Sequence, residues 1–199
     1  LGYIPENTIR RDIVSLNSIS LTPKALERIR EIKDNISKND NPFLAMWFKP
    51  DKMLDKYNDA VDIATKNAGY KAPYRVDKDK YNGNIMFEII NRIKESRFLI
   101  ADLTCEYKKV DAKVYSKNGV RGGVYYEAGL AEGLGIPVIL TCHKDCKAKN
   151  LVHFDLDQFN MILWEERNNE IYVANKNITL EKEMTEWIIK SVGAGPNKY

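Results

Sequence analysis

From Phe43 onward the chain alternates short apolar runs with longer stripes whose apolar residues recur every three or four positions, and this alternation constrains the fold more than any other feature. Phe43-Leu-Ala-Met-Trp-Phe48 carries no charge, the pattern of a strand covered on both faces. Leu54, Tyr57, Val61, Ala64 and Ala68 then recur at helical spacing up to Gly69, which predicts an amphipathic helix with a glycine stop. Tyr70 to Val76 reads as a weaker strand, demoted by Pro73. Ile85, Ile89 and Ile93 mark a second helix, Phe98-Leu-Ile-Ala101 a third strand, and Val124 to Leu134 a third helix. Ile136-Pro-Val-Ile-Leu-Thr141 and Met161-Ile-Leu-Trp164 supply strands four and five, and Leu180, Met184, Trp187 and Ile188 stripe a closing helix. Strands alternating with helices imply right-handed crossovers and a sheet covered on both faces. The expected fold is a doubly wound α/β domain with a mostly parallel five-stranded sheet, and in such sheets ligands bind outside the carboxyl ends of the strands.

Residues 1–41 follow a different pattern. Thr22-Pro23 is an N-cap followed by a first-turn proline, so a helix begins there, with Leu26, Ile29 and Ile36 near one face. Asn35 to Pro42 reads as a linker. The expected organisation is an N-terminal helical appendage over 1–41 and an α/β domain over 42–199. Ile19-Ser-Leu-Thr-Pro-Lys-Ala-Leu-Glu-Arg-Ile29 resembles the last strand and closing helix of a winged-helix domain, and the chain begins at Leu1, so residues 1–41 read as the tail of an upstream module.

Several classes of function lack their residues. The net charge of +3 is the small difference between 31 basic and 28 acidic residues, which gives no electrostatic support for a nucleic-acid partner. No apolar run approaches the ~20 residues of a membrane span. Cys105, Cys142 and Cys146 lack the spacing of a disulfide framework and fit a reducing cytoplasm. There is no phosphate-binding Gly-x-x-x-x-Gly-Lys loop, and the glycines at 129, 133 and 135 do not follow a strand as a dinucleotide fingerprint must. With His143 and His153 as the chain's two histidines and no Gly-x-Ser-x-Gly elbow, a hydrolase triad is unsupported. Cys142-His143-Lys144-Asp145-Cys146 has no distant second cluster, so no metal is expected.

The chemistry concentrates in Arg121-Gly-Gly-Val-Tyr-Tyr-Glu-Ala-Gly-Leu-Ala-Glu-Gly-Leu-Gly135. Gly122 and Gly123 open a helix, and Ala128, Gly129, Ala131 and Gly133 keep its faces small. By helical spacing Glu127 shares a stripe with Val124, Ala128 and Ala131, a carboxylate among residues that pack on the sheet. Such a group costs several kcal/mol unless it is paired or has a task. One reading is an ion pair with Arg121 or Arg97 or a helix-dipole contact; the other is a partly dehydrated carboxylate aimed at a ligand. A carboxylate so placed can attack an anomeric carbon or stabilise an oxocarbenium ion.

Phe43-Leu-Ala-Met-Trp-Phe48, Ser96-Arg-Phe-Leu-Ile-Ala-Asp-Leu-Thr104, Gly122-Gly-Val-Tyr-Tyr-Glu-Ala-Gly-Leu-Ala131 and Gly135-Ile-Pro-Val-Ile139 together resemble the nucleoside 2-deoxyribosyltransferase family, in family order, from about residue 43 to 141. The resemblance implies a flavodoxin-like fold, no cofactor and assembly as a homo-oligomer. It makes Glu127 the nucleophile of a covalent deoxyribosyl-enzyme, sets Trp47 and Phe48 against the base, and brings Glu88 to the sugar hydroxyls. Where that family carries an aspartate six residues before the nucleophile, this chain has Arg121, and an arginine fork at a helix N-terminus suits a phosphate. The expected ligand is therefore a nucleoside, nucleotide or NAD-like molecule. The same blocks resemble TIR domains, in which a glutamate cleaves NAD at the nicotinamide bond. The shared expectation is N-glycosidic cleavage or exchange, possible in a defence effector; the rival is a nucleotide-sensing or self-associating TIR-like domain without catalysis.

Other residues keep two readings. Trp47 and Phe48 suit a core as well as a base, Glu88 with Arg92 is a helical ion pair or a sugar ligand, and Asp102 caps a turn or meets substrate. The loop Cys105 to Gly119 is a lid or a surface insertion. His153, Asp155 and Asn160 complete the pocket or bond structurally, with Asn160 the candidate ligand contact.

Overall fold

The computed structural model describes residues 21–48, 51–76, 85–110, 113–116 and 122–197. The chain divides into two compact units, residues 1–39 and 40–199. In the first, α1 (Pro23–Lys38) starts where Thr22-Pro23 directs it, with Thr22 Oγ1 accepting from the backbone N–H of Ala25 at 3.2 Å. The strand half of the winged-helix likeness lies outside the described residues.

The second unit holds β1 (Phe43–Ala45), α2 (Lys52–Asn67), α3 (Ile85–Lys94), β2 (Leu99–Asp102), β3 (Tyr107–Val110), β4 (Lys113–Ser116), α4 (Gly122–Gly133), β5 (Val138–His143), α5 (Lys144–Ala148), α6 (Phe154–Asp157), β6 (Ile162–Arg167), β7 (Glu170–Val173) and α7 (Leu180–Val192). A five-stranded sheet runs in the order β1-β2-β5-β6-β7, parallel except for β7, as the alternation of the sequence predicts. Its membership differs from expectation at two places. Tyr70 to Val76 contributes a single parallel bridge, Tyr74 to Phe43, because Pro73 has no N–H to extend the ladder. An unforeseen antiparallel β7 takes the fifth place, turned back by Asn168 and Asn169 at φ 49 and 71°, a left-handed pair that asparagine tolerates in a two-residue hairpin. The loop after Cys105 contains the separate hairpin β3–β4.

Side chains alternate across the sheet and build two cores. Phe98, just before β2, and Ile100 within it join Tyr57, Val61 and Ala64 of α2 and Leu180, Met184 and Ile188 of α7 on one face. Leu99 and Ala101 join Ile89 and Ile93 of α3 and Val124, Ala128 and Ala131 of α4 on the other. β1 and β2 are thus buried on both sides, which is why their runs in the sequence lack polar alternation.

At the carboxyl edge this apolar rule breaks at Asp102, which has no exposed surface. Its Oδ1 accepts from Thr104 Oγ1 at 3.0 Å, Thr141 Oγ1 at 2.9 Å and Trp164 Nε1 at 2.9 Å. Thr141 Oγ1 also meets the Tyr57 hydroxyl at 2.7 Å, and Thr104 Oγ1 accepts from the backbone N–H of His143 at 2.8 Å. Burial pushes the Asp102 carboxyl up to about 6 against those hydrogen bonds. Oδ2 has no partner. One carboxyl oxygen therefore ties the end of β2 to Thr141 in β5 and Trp164 in β6, and through Thr141 reaches α2. Asp102→Ala should lower stability by about 3 kcal/mol, since it orphans buried donors and opens a void, and chemical denaturation followed by tryptophan fluorescence would measure the loss.

Candidate functional site

From β1 the chain moves outward to the Tyr74 edge and then returns to pair β2 against β1, so strand order reverses between β1 and β2. The carboxyl ends of these two strands flank the crevice where doubly wound sheets receive ligands. Trp47 and Phe48 follow β1 at that edge. Both are half-buried against the core of the α2 and α7 face, and the Arg75 guanidinium lies 5.3 Å from the Phe48 ring centroid. The two readings of this pair coexist: each ring has one side packed and some surface left open.

α4 connects the carboxyl edge to the start of β5 and so begins at the same crevice from the opposite face. Val124, Ala128 and Ala131 pack on the sheet as the stripe predicts. Gly129 and Gly133 do not serve close packing; both are exposed, and a Cβ at either would meet nothing within 4 Å. Their outward position on α4 overturns that part of the sequence reading. Gly122 and Gly123 are exposed too, with open space where a side chain would stand. Among the described residues nothing demands glycine there; both glycines stand in the first turn of α4, whose N–H groups have no partner within the helix.

Glu127 lies in the second turn of α4, half-buried. Tyr125, two residues earlier, points to the α6 flank, where its hydroxyl accepts from the backbone N–H of His153 at 2.9 Å. Two residues turn a helix by about 200°, so Glu127 faces the other flank, toward α3. Among the described residues no hydrogen bond or ion pair reaches its carboxyl. Burial alone pushes it up to about 7 from the ordinary 4.5. Arg97, one of its expected partners, lies below β2 and donates from Nη2 to Val192 O at 2.8 Å. Arg121, the other, lies outside the described residues, as do 77–84 ahead of α3.

The remaining candidates separate. Glu88 on α3 accepts from Arg92 Nε at 2.6 Å, and that guanidinium stacks 4.7 Å from the centroid of the Tyr74 ring. The helical ion-pair reading of Glu88 holds in this ligand-free chain. Asp102 belongs to the enclosed network described above and presents no surface to a ligand. Asn160 is not part of this crevice. It precedes Ile162, the first residue of β6, and lines a cavity with Trp187 on α7, the helix of the face opposite α4. β6 starts opposite Thr141, level with the end of β2, and Asn160, two residues before it, lies two strands away from β2 and lines the cavity beside α7.

Both histidines cap helices: His143 Nδ1 accepts from Asp145 N at 3.3 Å and His153 Nδ1 from Asp155 N at 3.4 Å. The three cysteines are buried and form no disulfide, with Cys146 Sγ donating to Cys105 O at 3.3 Å. Among the described residues no cluster of His, Cys, Asp or Glu could hold a metal ion. The partners of Asp102 were missed from sequence, although Thr141 and Trp164 each end an apolar run, where a polar group at a strand terminus is a signal.

No protein-family profile and no curated protein matches the chain. A solved structure similar to it is the 2-desoxiribosyltransferase from Leishmania mexicana, 18% identical, covering 76% of this chain and 97% of that one at a TM-score of 0.43. At that distance side-chain roles have to be argued from this chain's own geometry.

The raised carboxyl has a consequence for stability. Below pH 4.5 Glu127 is protonated folded or unfolded; between 4.5 and about 7 the unfolded chain ionises first, so stability falls and stays reduced above 7. Glu127→Gln removes that penalty. The variant should match wild type at pH 4 and exceed it by about 1–3 kcal/mol at pH 8, as thermal melts across the range would show.

Proposed function

We propose that this domain cleaves or exchanges the N-glycosidic bond of a nucleoside, nucleotide or NAD-like molecule, with Glu127 as nucleophile. The observation that carries the reading is a carboxyl with no partner among the described residues, pushed up to about 7 by burial alone, on a glycine-opened helix at the strand-order reversal. A carboxyl kept there without a partner loses stability, and that loss is repaid if the group acts on a ligand. Its Oε attacks C1′ of the sugar, and the C1′–N bond breaks with its electron pair leaving on the base, which takes a proton from solvent. Water or a second base then displaces the carboxylate from C1′, giving hydrolysis or exchange.

The supporting cast follows from position. Trp47 and Phe48 offer aromatic surface to the base at the end of β1. The N-terminal N–H groups of α4, with Arg121 next to them in sequence, suit a phosphate. Glu88 could reach a sugar hydroxyl only by loosening its hold on Arg92. Residues 1–41 fit the tail of a fused upstream module, and self-assembly would complete the crevice.

Incubating the purified chain with a panel of nucleosides, nucleotides and NAD, and following free base by chromatography, tests the proposal. Wild type should release base and Glu127→Gln should be slower by at least about a thousandfold, with ligand binding retained. Because attack needs the ionised form, kcat/KM should rise tenfold per pH unit up to about 7 and then level off. Equal release by wild type and Glu127→Gln would refute the role of Glu127. Silence on every substrate, with binding intact, would leave a nucleotide sensor.

A further inference from the structure

A cavity of about 490 Å³ opens between the approach to β6 and the C-terminal half of α7, lined by Asn160, Met161, Trp187, Lys190 and Ser191. Its size falls within the range of small-molecule sites. Trp187 is half-buried: the ring packs on the core of the α2 and α7 face and also lines the cavity, so it is a fixed aromatic wall rather than a free surface side chain. Lys190 and Ser191 follow it by three and four residues, which places an ammonium and a hydroxyl on the same helix face, one turn or about 5.4 Å further along. Asn160 brings an amide that can donate and accept from across the opening.

The charge of the cavity favours an anion. No carboxylate lines it, and Lys190 has no ion-pair partner among the described residues. The end of α7 would ordinarily repel negative charge. Here its carbonyls are already engaged: Arg97 Nη2 donates to Val192 O at 2.8 Å, and the Tyr70 hydroxyl donates to Gly193 O at 3.0 Å.

We infer that this cavity is a second binding site, for a nucleoside monophosphate: the base stacks on Trp187, the phosphate meets Lys190 and Ser191, and the ribose spans the turn between them. The site is on the sheet face opposite α4, and it does not rest on the glycosidic chemistry proposed for Glu127.

The chain's three tryptophans make the test direct, because each indole N–H gives its own signal in a ¹H–¹⁵N spectrum. Trp187 reports the cavity, Trp47 the carboxyl edge, and the enclosed Trp164 serves as a folding control. With AMP as probe, the Trp187 signal should move saturably while Trp164 stays fixed; adenosine should bind more weakly and inorganic phosphate alone should leave the signal in place. Lys190→Glu should raise the apparent Kd at least about tenfold with Trp164 unmoved, and Glu127→Gln should leave the Trp187 titration unchanged. A Trp187 signal static to millimolar AMP, or one that moves equally in Lys190→Glu, would overturn the inference. Movement of Trp47 alone would overturn it too, by directing the nucleotide to the carboxyl edge.

Discussion

The carboxyl edge of the sheet depends on how a single buried carboxyl is satisfied. Asp102 ends β2 with no exposed surface, and without donors its charge would be prohibitive there. Thr104, Thr141 and Trp164 supply those donors from three separate segments, and Tyr57 extends the chain of bonds to α2. Because Thr141 lies in β5 and Trp164 in β6, the network ties the end of β2 to the two strands beyond it. The ends of β1 and β2 form the rim where Trp47 and Phe48 follow β1 and toward which α4 begins.

Two carboxyls near this edge are both pushed up by burial, and their surroundings give them opposite roles. Asp102 is held by neutral donors and closed off, so its proton affinity reflects a structural knot. Glu127 has partial exposure and no hydrogen-bond or ion-pair partner among the described residues, so burial alone sets its proton affinity, the property on which the proposed chemistry rests. The difference lies in neighbours rather than in residue type. On α4 the small residues divide: Ala128 and Ala131 pack on the sheet, while Gly129 and Gly133 face outward with nothing against them among the described residues.

Much of the fold is legible in the sequence because buried parallel strands are uniformly apolar and their crossover helices are striped. Phe43, Phe98 and Ile136 open runs that become β1, β2 and β5, and Thr22-Pro23 marks the start of α1. β7 escaped notice because Glu170-Ile-Tyr-Val is short and its turn is Asn-Asn rather than a glycine pair. Tyr70 to Val76 was over-read because an apolar run says nothing of whether a ladder can extend past Pro73. Of the site, the stripe on α4 located Glu127, whereas Asn160 could not be placed without knowing at what height β6 begins. The enclosure of Asp102 was equally hidden, since two of its three donors lie 39 and 62 residues away in sequence.

The central physical claim is that Glu127 is a dehydrated carboxyl without a cationic partner. Carbon-13 labelling of glutamate side chains, with Glu127 assigned through Glu127→Gln, allows its carboxyl resonance to be followed from pH 3 to pH 9. A midpoint near 7 is the result the account predicts. A midpoint at or below the ordinary 4.5 would mean that a cation or solvent holds the carboxylate, and would contradict it.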